Sequence, residues 1–538
     1  VTWLSKMGQG LISLSGVCYF LSITLIALFL TAYFLDVSRS KKGRALTYIV
    51  RRYLLICFVF FIWVLSVPMM SNLLFQWDLT EAKEFSLSDG TKQIVEGLPS
   101  KTQITLYWSA NESSVPVNIK LHARRIKSVI KEMISSRSDE VVFQEIDPEP
   151  DSDHELQAMS QGLQRVPMSS GDSFFLGLTV AEGTRVLNIP YFDIRRAQLL
   201  EYDLALVLNG LSQKRPRRIG ILSPLIPPRV ASGNRLGMSF ISELKRAYDL
   251  AFIPHFKDTL PEGLDLLILM DATILRKKLI FAIDQFLMNG GNLIVMMDPH
   301  VRFNKSSNIV TPEPSKEIND LSDILDRYGL RYKSQSIVGD SSLASTAIDA
   351  KQKQVNYPFW MRLRSDNFSL MHPTTAGLNE VFYVEGGEFE VKKGFDNIKV
   401  LLKTSSNSGV ISREGFGKKM PRQLALDFQP DQKERVLLAN ITAPINSAFS
   451  MPIEKAAASS FLSVSRGYPQ IFAIADVDWV FDPFSVQSTN IGGRMVVRPL
   501  NDNLTLLLNL VEYASGNSSL INIRSRGRVQ RPFIRIQS

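Results

Sequence analysis

Residues 264–299, LDLLILMDATILRKKLIFAIDQFLMNGGNLIVMMDP, decide the fold of this chain. Two continuous apolar runs of strand length, Leu264–Met270 and Asn292–Met297, flank a helical pattern over Arg276–Met288. The sequence Asn289-Gly290-Gly291 ends that pattern with a glycine of the kind that caps helix C-termini. Apolar strands separated by helices are typical of a parallel sheet covered on both faces, so this stretch predicts an α/β fold.

The same alternation of strands and helices extends to both sides of this stretch. Further strands are predicted at Gln103–Trp108, Val141–Ile146, Phe174–Val180, Arg185–Pro190, Ile219–Ser223, Gln423–Phe428, Arg435–Asn440 and Gln470–Ala475. Further helices are predicted at Asp89–Gly97, Val117–Ile134, Gln198–Leu211, Leu236–Tyr248, Lys316–Tyr328 and Asn503–Ala514. The polar, proline-broken residues 213–218 predict a linker. We therefore expect a first α/β domain over 79–215 and a second over 216–538, with an irregular, lid-like insertion at about 341–417.

Two apolar runs near the start, Leu11–Leu35 and Tyr53–Phe75, are each long enough for a helix that crosses a bilayer. The loop between them, residues 36–52, holds six basic side chains and one acid, which favours a cytoplasmic location. The pattern predicts a membrane region over residues 1–78 of a multi-pass protein of the bacterial inner (cytoplasmic) membrane, with the larger part in the periplasm. The alternative for the first run is a cleaved signal peptide.

Charge and cysteine content exclude several classes of function. Of the formal charge of +9, residues 1–78 account for +5, with seven basic and two acidic side chains. The remainder is close to neutral and gives no indication of nucleic-acid binding. Both cysteines, Cys18 and Cys57, lie inside the two apolar runs. The body of the chain therefore has no disulfide, thiolate nucleophile or cysteine-bound metal.

Catalytic motifs are absent from the sequence. No Gly-x-x-x-x-Gly-Lys-Ser/Thr run is present, so the chain lacks the phosphate-binding loop of an ATPase. No Gly-x-Ser-x-Gly nucleophile turn occurs, and the five histidines have no paired spacing that would indicate a metal site. We therefore expect a protein that is not an enzyme and needs no cofactor, with any ATP hydrolysis carried out by a partner.

Aspartates at two predicted strand ends are the remaining candidates for a site. Asp476 and Asp478, with Asp482 close behind, follow the strand at 470–475, and Asp298 and His300 follow Met297. A spacing of two would put the carboxylates of Asp476 and Asp478 on one face, at the edge where open α/β sheets bind ligands. They could hold a divalent cation through oxygen ligands. The alternative is that these aspartates cap the following turns, and both interpretations stand.

Several segments together resemble a known family, the gliding-motility-type auxiliary components of ABC transporters. The segments that carry the resemblance are Asp78–Lys92, Leu264–Met270, Ala282–Asn292, Met297–Pro299, Asn503–Asn509, Leu520–Arg524 and Arg531–Phe533. They cover about residues 72–538 and keep the same order along the chain. Near the start, Tyr19–Asp36 is similar to the final helix of an ABC-2-type permease.

The resemblance implies a fold and a role. The central unit of that family resembles the class I glutamine-amidotransferase-like fold, a flavodoxin-like doubly wound sheet. Enzymes of that fold use a cysteine, and this chain has none beyond Cys57. The resemblance therefore implies a non-catalytic auxiliary subunit, a pseudo-amidotransferase. Its implied partners are an ABC-2-type permease, a cytoplasmic ABC ATPase, the lipid bilayer and a periplasmic or cell-envelope partner.

Two other functions remain open at this point. One is an envelope ligand-binding protein or hydrolase that uses the strand-end carboxylates Asp476 and Asp478, with His300 as a further candidate. The other is a structural scaffold of a motility or secretion complex.

Overall fold

A computed structural model of the chain describes residues 87–526 apart from short gaps, and before them 11–13, 76–78 and scattered positions between 17 and 35. The gaps are 169–170, 214, 227–237, 272, 274, 304–319, 349–352, 443, 454–460 and 492–493. The chain divides into two compact units, residues 1–92 with 526–538 and residues 93–525. The predicted domain boundary at 215/216 remains a prediction.

The predicted membrane region is corrected by the structure. Among the described residues, no helix is both long enough and apolar enough to cross a bilayer. The first apolar run begins instead in a strand, since β1, Leu11–Ser13, pairs antiparallel with β2, Gln76–Asp78. The predictions of two spanning helices, of a multi-pass inner-membrane location and of the bilayer as a partner are therefore not supported. Residues 36–52 and 53–75 lie outside the described residues.

The first α/β region contains a four-stranded sheet, a separate antiparallel pair of short strands, and helices. Its strands are β3 Thr102–Trp108, β4 Val141–Ile146, β5 Val166–Pro167, β6 Ser173–Phe174, β7 Leu176–Glu182 and β8 Arg185–Ile189. Its helices are α1 Asp89–Glu96, α2 Val117–Ile134, α3 Asp153–Ser160 and α4 Leu200–Ser212. The four-stranded sheet has the order β4-β3-β7-β8, in which only β3 and β4 are parallel, and the separate pair is β5 with β6. The predicted bounds of β4 and α2 are confirmed.

The remaining elements belong to the larger α/β region. Its strands are β9 Arg218–Leu222, β10 Asp249–Ile253, β11 Leu266–Met270, β12 Asn292–Met296, β13 Leu330–Tyr332, β14 Ser336–Asp340, β15 Ala344–Ile348, β16 Gln354–Leu363, β17 Val381–Val384, β18 Phe389–Val391, β19 Ile398–Lys403, β20 Ser408–Ser412, β21 Val436–Thr442, β22 Gln470–Ile474, β23 Val486–Ile491 and β24 Arg494–Pro499. Its helices are α5 Ser239–Lys245, α6 Lys277–Met288, α7 Ser322–Arg327, α8 Pro373–Ala376, α9 Arg413–Gly417, α10 Pro421–Asp427, α11 Asp482–Ser485, α12 Asn503–Ala514 and α13 Ser518–Arg526.

The main sheet combines a parallel and an antiparallel part. Five strands run parallel in the order β10-β9-β11-β12-β22, which is one of the two common orders of doubly wound sheets. Beyond β22 the sheet continues antiparallel through β21, β18 and β13, with β19 also paired to β21. The sequence pattern predicted four of the five parallel strands, all but β10, and only the strand β21 of the extension.

Alternate side chains of each parallel strand enter two different cores. In β11, Leu266, Ile268 and Met270 pack in a cluster with residues of α5 and α12. Leu267 and Leu269 pack on the opposite face, in a cluster with residues of α6 and α7. Because successive strand side chains point to opposite faces, an uninterrupted apolar run is what a sheet covered on both sides requires.

The segment that connects β13 to β21 is more regular than predicted. It forms an antiparallel pair, β14 with β20, and a three-stranded sheet, β15-β16-β17. The predicted strand at Gln423–Phe428 is wrong, because these residues lie mostly in α10. Pro421 occupies the start of that helix, where a missing N–H costs nothing, and the Gln423 side chain accepts from the Met420 N–H.

A buried polar network connects α4, α12 and α13. Glu512 is fully buried and forms an ion pair with Arg524, whose side chain is 1% exposed. The Tyr202 hydroxyl donates to Glu512 at 2.7 Å and accepts from Arg524 at 2.7 Å. Arg524 also donates to Asn509 at 2.7 Å. Burial raises the pKa of Tyr202 to about 12, so the phenol remains a donor at neutral pH.

Replacing Glu512 by Gln should strongly destabilise the chain. The substitution keeps the size of the side chain but leaves the Arg524 charge buried without a counter-charge, which typically costs about 3–5 kcal/mol. The measurement is the free energy of unfolding from urea titration. The control is Asp427→Asn, which breaks an exposed pair with Lys419 and should cost less than about 1 kcal/mol. Equal losses for the two variants would contradict a structural role for the buried pair.

Candidate functional site

Aspartates follow three neighbouring parallel strands of the main sheet. The register pairs Met270 with Met296 and Met296 with Ile474, so the ends of β11, β12 and β22 are level. Asp271 directly follows β11, whereas Asp298 and Asp476 each lie two residues beyond the ends of β12 and β22. The structure therefore places these side chains at the carboxyl edge of the sheet, as the sequence suggested for Asp298 and Asp476.

Three of the predicted carboxylates come together at this edge. Asp298, Asp476 and Asp478 each offer an oxygen that lies within 4.8 Å of the others. Asp476 and Asp478 are fully buried, and Asp298 is 9% exposed. Asp478 does not reach the cluster by strand periodicity, because it begins a 3-10 turn, Asp478–Val480, beyond the end of β22. We call these three residues the carboxylate cluster.

Every carboxylate oxygen of the cluster accepts at least one backbone N–H. The donors to Asp298 are His300 at 2.8 Å and Val477 at 2.9 Å. The donors to Asp476 are Asp478 at 2.7 Å, Trp479 at 3.2 Å and Val384 at 2.6 Å. The donors to Asp478 are Arg302 at 2.6 Å and Phe303 at 2.8 Å. The cluster thus holds the turns after β12, β17 and β22 in place.

Burial and mutual repulsion favour the protonated forms of these acids. The pKa of Asp478 is raised to about 7, first by burial, and the Glu385 charge adds to the effect while backbone N–H groups oppose it. Burial, with the Asp478 charge, also raises the pKa values of Asp298 and Asp476 well above their ordinary value. Carboxylates this close cannot all be ionised cheaply, so the cluster retains protons near neutral pH.

His300, the other predicted candidate, faces a different acid. Its Nδ1 lies 2.9 Å from Oε2 of Glu385, a fully buried carboxylate that directly follows β17. The other oxygen of Glu385 accepts from Arg302 at 2.7 Å, Tyr357 at 3.1 Å and Trp360 at 3.2 Å. Although burial opposes ionisation, His300, Arg302 and Tyr357 together lower the pKa of Glu385. Glu385 is therefore an ionised acid that connects the turn after β12 to the β15-β16-β17 sheet.

Asp482, the remaining predicted residue, does not join the cluster. Its two oxygens accept from the backbone N–H and the hydroxyl of Ser239, at 2.7 and 2.9 Å. Ser239 begins α5, so Asp482 satisfies donors at the start of that helix. This is a structural role in another part of the fold.

Sequence reasoning missed Glu385 and Asp271. Both directly follow a strand and have positive φ, 51° and 48°, which non-glycine residues seldom adopt. An acid directly after an apolar strand was the available signal, and it was used only for Asp298 and Asp476. Asp271 lines a cavity of about 20 Å³ with Asp298, Asp320 and Tyr332, which is enough for one water molecule. Burial raises the pKa of Asp271 to about 7.

Comparison with known families assigns the chain to one of them. Residues 216–510, more than half of the chain, match the family described as an ABC-type uncharacterized transport system. The chain belongs to this family of ABC-transport auxiliary components. The matched region includes the whole main sheet and the carboxylate cluster. Residues 81–180 match a second family, described only as a domain of unknown function. The predicted resemblance to ABC-transporter auxiliary components is thereby confirmed.

Similarity to individual proteins is weak. No curated protein matches the chain. The N-terminal domain of mmIFT52 shares 12% identity, with a TM-score of 0.32, over 55% of this chain and 97% of that one. A ThuA-like protein from Bacteroides uniformis shares 11%, with a TM-score of 0.28, over 56% and 93%. A ThuA-like protein from Parabacteroides merdae shares 13%, with a TM-score of 0.24, over 56% and 90%. At these levels the likenesses assign neither fold nor function.

Asp478→Asn should flatten the dependence of stability on pH. Because the pKa of Asp478 is raised from 3.8 to about 7, the folded chain binds more protons than the unfolded chain between these values. The contribution of Asp478 to the free energy of unfolding is therefore fully present below the pKa that Asp478 has in the unfolded chain. It is lost as the pH rises toward about 7. Asn is neutral throughout, so the variant should lose less free energy of unfolding across this window, by a few kcal/mol.

The measurement is urea unfolding at several pH values from about 4 to about 7.5. Asn also lacks one acceptor oxygen, which lowers stability by about 1–3 kcal/mol at every pH and does not change the slope. Asp427→Asn, outside the cluster, controls for the loss of an aspartate. Parallel profiles for Asp478→Asn and the wild-type chain would contradict a protonated carboxyl at this position.

Proposed function

We propose that this chain is a non-catalytic accessory subunit of an ABC-type transport system. It binds an ABC-2-type permease and an ABC ATPase, and it connects them to a further protein partner. Membership of the auxiliary family supports the accessory role. The sequence contains no phosphate-binding loop, so ATP hydrolysis is assigned to the partner.

The observation that carries the non-catalytic part is the hydrogen bonding of the carboxylate cluster. Each of the six oxygens accepts a backbone N–H of this chain, and the cluster residues are buried. A general base or nucleophile must reach its substrate within hydrogen-bond distance. These acids instead stabilise the turns around them. This arrangement supports a binding module whose ligand edge is closed by its own chain.

Affinity purification of the tagged full-length chain from its native cells tests this role. After gentle detergent extraction, we expect an ABC-2-type permease and an ABC ATPase to be recovered at near-stoichiometric levels by quantitative mass spectrometry. The purified complex should hydrolyse ATP, and the chain alone should not. Recovery of the chain without either subunit, under conditions that keep a control transporter intact, would contradict the proposal.

A second candidate function, binding of a divalent cation, is favoured by the spacing of the cluster. The candidate oxygens of Asp298, Asp476 and Asp478 lie within 4.8 Å of each other, and a carboxylate oxygen that accepts one N–H retains a second lone pair. Mg²⁺ and Ca²⁺ both take oxygen ligands. A cation would also relieve the repulsion that keeps the cluster protonated. This alternative would give the chain a ligand-binding role at the sheet edge.

Calorimetric titration with Mg²⁺ and Ca²⁺ separates the two functions. If the cluster is structural, neither ion should bind saturably, and neither should raise the temperature of unfolding. Saturable binding that is lost in Asp476→Asn and kept in Asp482→Asn would instead establish the cation site, since Asp482 lies outside the cluster.

A further inference from the structure

A cavity lies at the opposite edge of the main sheet. It has a volume of about 640 Å³ and is lined by residues where β11, β12 and β22 begin and where α6 and α12 end. We call it the amino-edge cleft. Its lining includes Arg217, Asp265, Asn292, Tyr468 and Tyr513. Neither the family match nor the carboxylate cluster assigns a role to this cleft.

Basic side chains outnumber acids when the neighbours of this cleft are included, since Arg217 and Asp265 line it and Arg215 and Arg466 lie beside it. Arg215 donates to both oxygens of Asp265, at 2.8 and 3.0 Å, and Arg217 donates to the same carboxylate at 3.2 Å. One acid thus serves two guanidinium groups that are 54% and 40% exposed. Arg466, on the loop beside the cleft, is also exposed and forms no ion pair within the described part of the chain. The cleft therefore has a surplus of positive charge.

The loop that carries Arg466 and Tyr468 is anchored at both ends. The Arg466 N–H donates to the Met288 carbonyl at the end of α6, at 2.7 Å. The Ser465 N–H donates to the Ile445 carbonyl at 2.9 Å. The Gln470 N–H donates to the Asn292 side chain at 2.9 Å. Glycine is favoured at position 290 by its φ of +90°, and a Cβ there would also lie in tight contact, 3.0 Å, with the Arg466 carbonyl oxygen.

This anchored loop nevertheless presents a large aromatic side chain to solvent. Tyr468 lines the cleft and is 84% exposed. Tyrosine and arginine are the residue types that most often dominate binding energy at protein interfaces. Because the backbone of the loop is already ordered, binding through these side chains would cost little conformational entropy.

We propose that the amino-edge cleft binds an acidic segment of a partner protein, which rests on the proposed role as an accessory subunit. A carboxylate of that segment pairs with the exposed guanidinium groups of Arg466 and Arg217, which can bond it in a bidentate way. The Tyr468 ring covers the segment. Surplus positive charge attracts an acidic partner and disfavours a basic one. The carboxyl edge of the sheet is occupied by the chain's own turns, whereas this edge is accessible.

Photo-crosslinking in the native cells tests the proposal. A photo-reactive amino acid replaces Tyr468 in the tagged full-length chain, and crosslinked peptides are sequenced by mass spectrometry. We expect crosslinks to a segment of an ABC transport subunit that contains Asp or Glu. Arg466→Glu and Tyr468→Ala should each lower the recovery of that subunit about tenfold, which corresponds to about 1.4 kcal/mol.

Matched controls lie elsewhere on the surface. Arg422→Glu reverses an exposed charge on α10, and Met371→Ala removes a side chain that is 95% exposed. Both should leave recovery unchanged. All four variants replace exposed side chains, so their unfolding temperatures should equal that of the wild-type chain.

The outcomes distinguish this inference from the proposed function. Transport subunits that copurify equally with Arg466→Glu, Tyr468→Ala and wild type, without crosslinks from position 468, would overturn the inference and leave the accessory role intact. Crosslinks to a basic or uncharged segment, to lipid or to nucleic acid would overturn the acidic assignment. Loss of all transport subunits from the wild-type purification would overturn both.

Discussion

Hydrogen bonds from backbone N–H groups to Asp298, Asp476 and Asp478 organise the carboxyl edge of the main sheet. The turns beyond the parallel strands are buried, and their N–H groups need acceptors that water cannot supply. Carboxylates meet this need with two oxygens each. Their drawback is repulsion, since three acids gather within 4.8 Å. The fold tolerates this because protons remain on the cluster when its pKa values rise.

The same interactions connect the segment between β13 and β21 to the sheet. Asp476 bonds the Val384 N–H at the end of β17, and the next residue, Glu385, bonds Arg302 and lies beside His300 in the turn after β12. Two acids of different protonation state therefore lie where the end of β17 meets the turns after β12 and β22. Asp476 favours its protonated form, while Glu385 is ionised and paired. The edge where doubly wound sheets usually bind ligands is consequently filled by the chain itself.

Much of this architecture could be predicted from local sequence, and the site only partly. Continuous apolar runs gave β9, β11, β12 and β22, because strands buried on both faces require that pattern, whereas the partly buried edge strand β10 was missed. The helix Asn503–Ala514 was also predicted with its observed bounds. The strand prediction for Gln423–Phe428 was wrong because the apolar positions fit the period of a strand as well as that of a helix. Pro421 was not taken as a helix start. Glu385 lies far from Asp298 in sequence, and only the tertiary pairing brings their turns together.

The two edges of the main sheet differ in what they leave for a partner. At the carboxyl edge, the acids of the carboxylate cluster accept bonds from the chain's own backbone, so a ligand would have to break existing contacts. At the amino edge, one carboxylate, Asp265, is shared by two guanidinium groups, and the anchored loop exposes Tyr468 beside a cavity of about 640 Å³. The carboxyl edge is therefore occupied by the chain's own turns, whereas the amino edge exposes arginine and tyrosine side chains around an open cavity, and the proposed docking of an acidic segment rests on this difference.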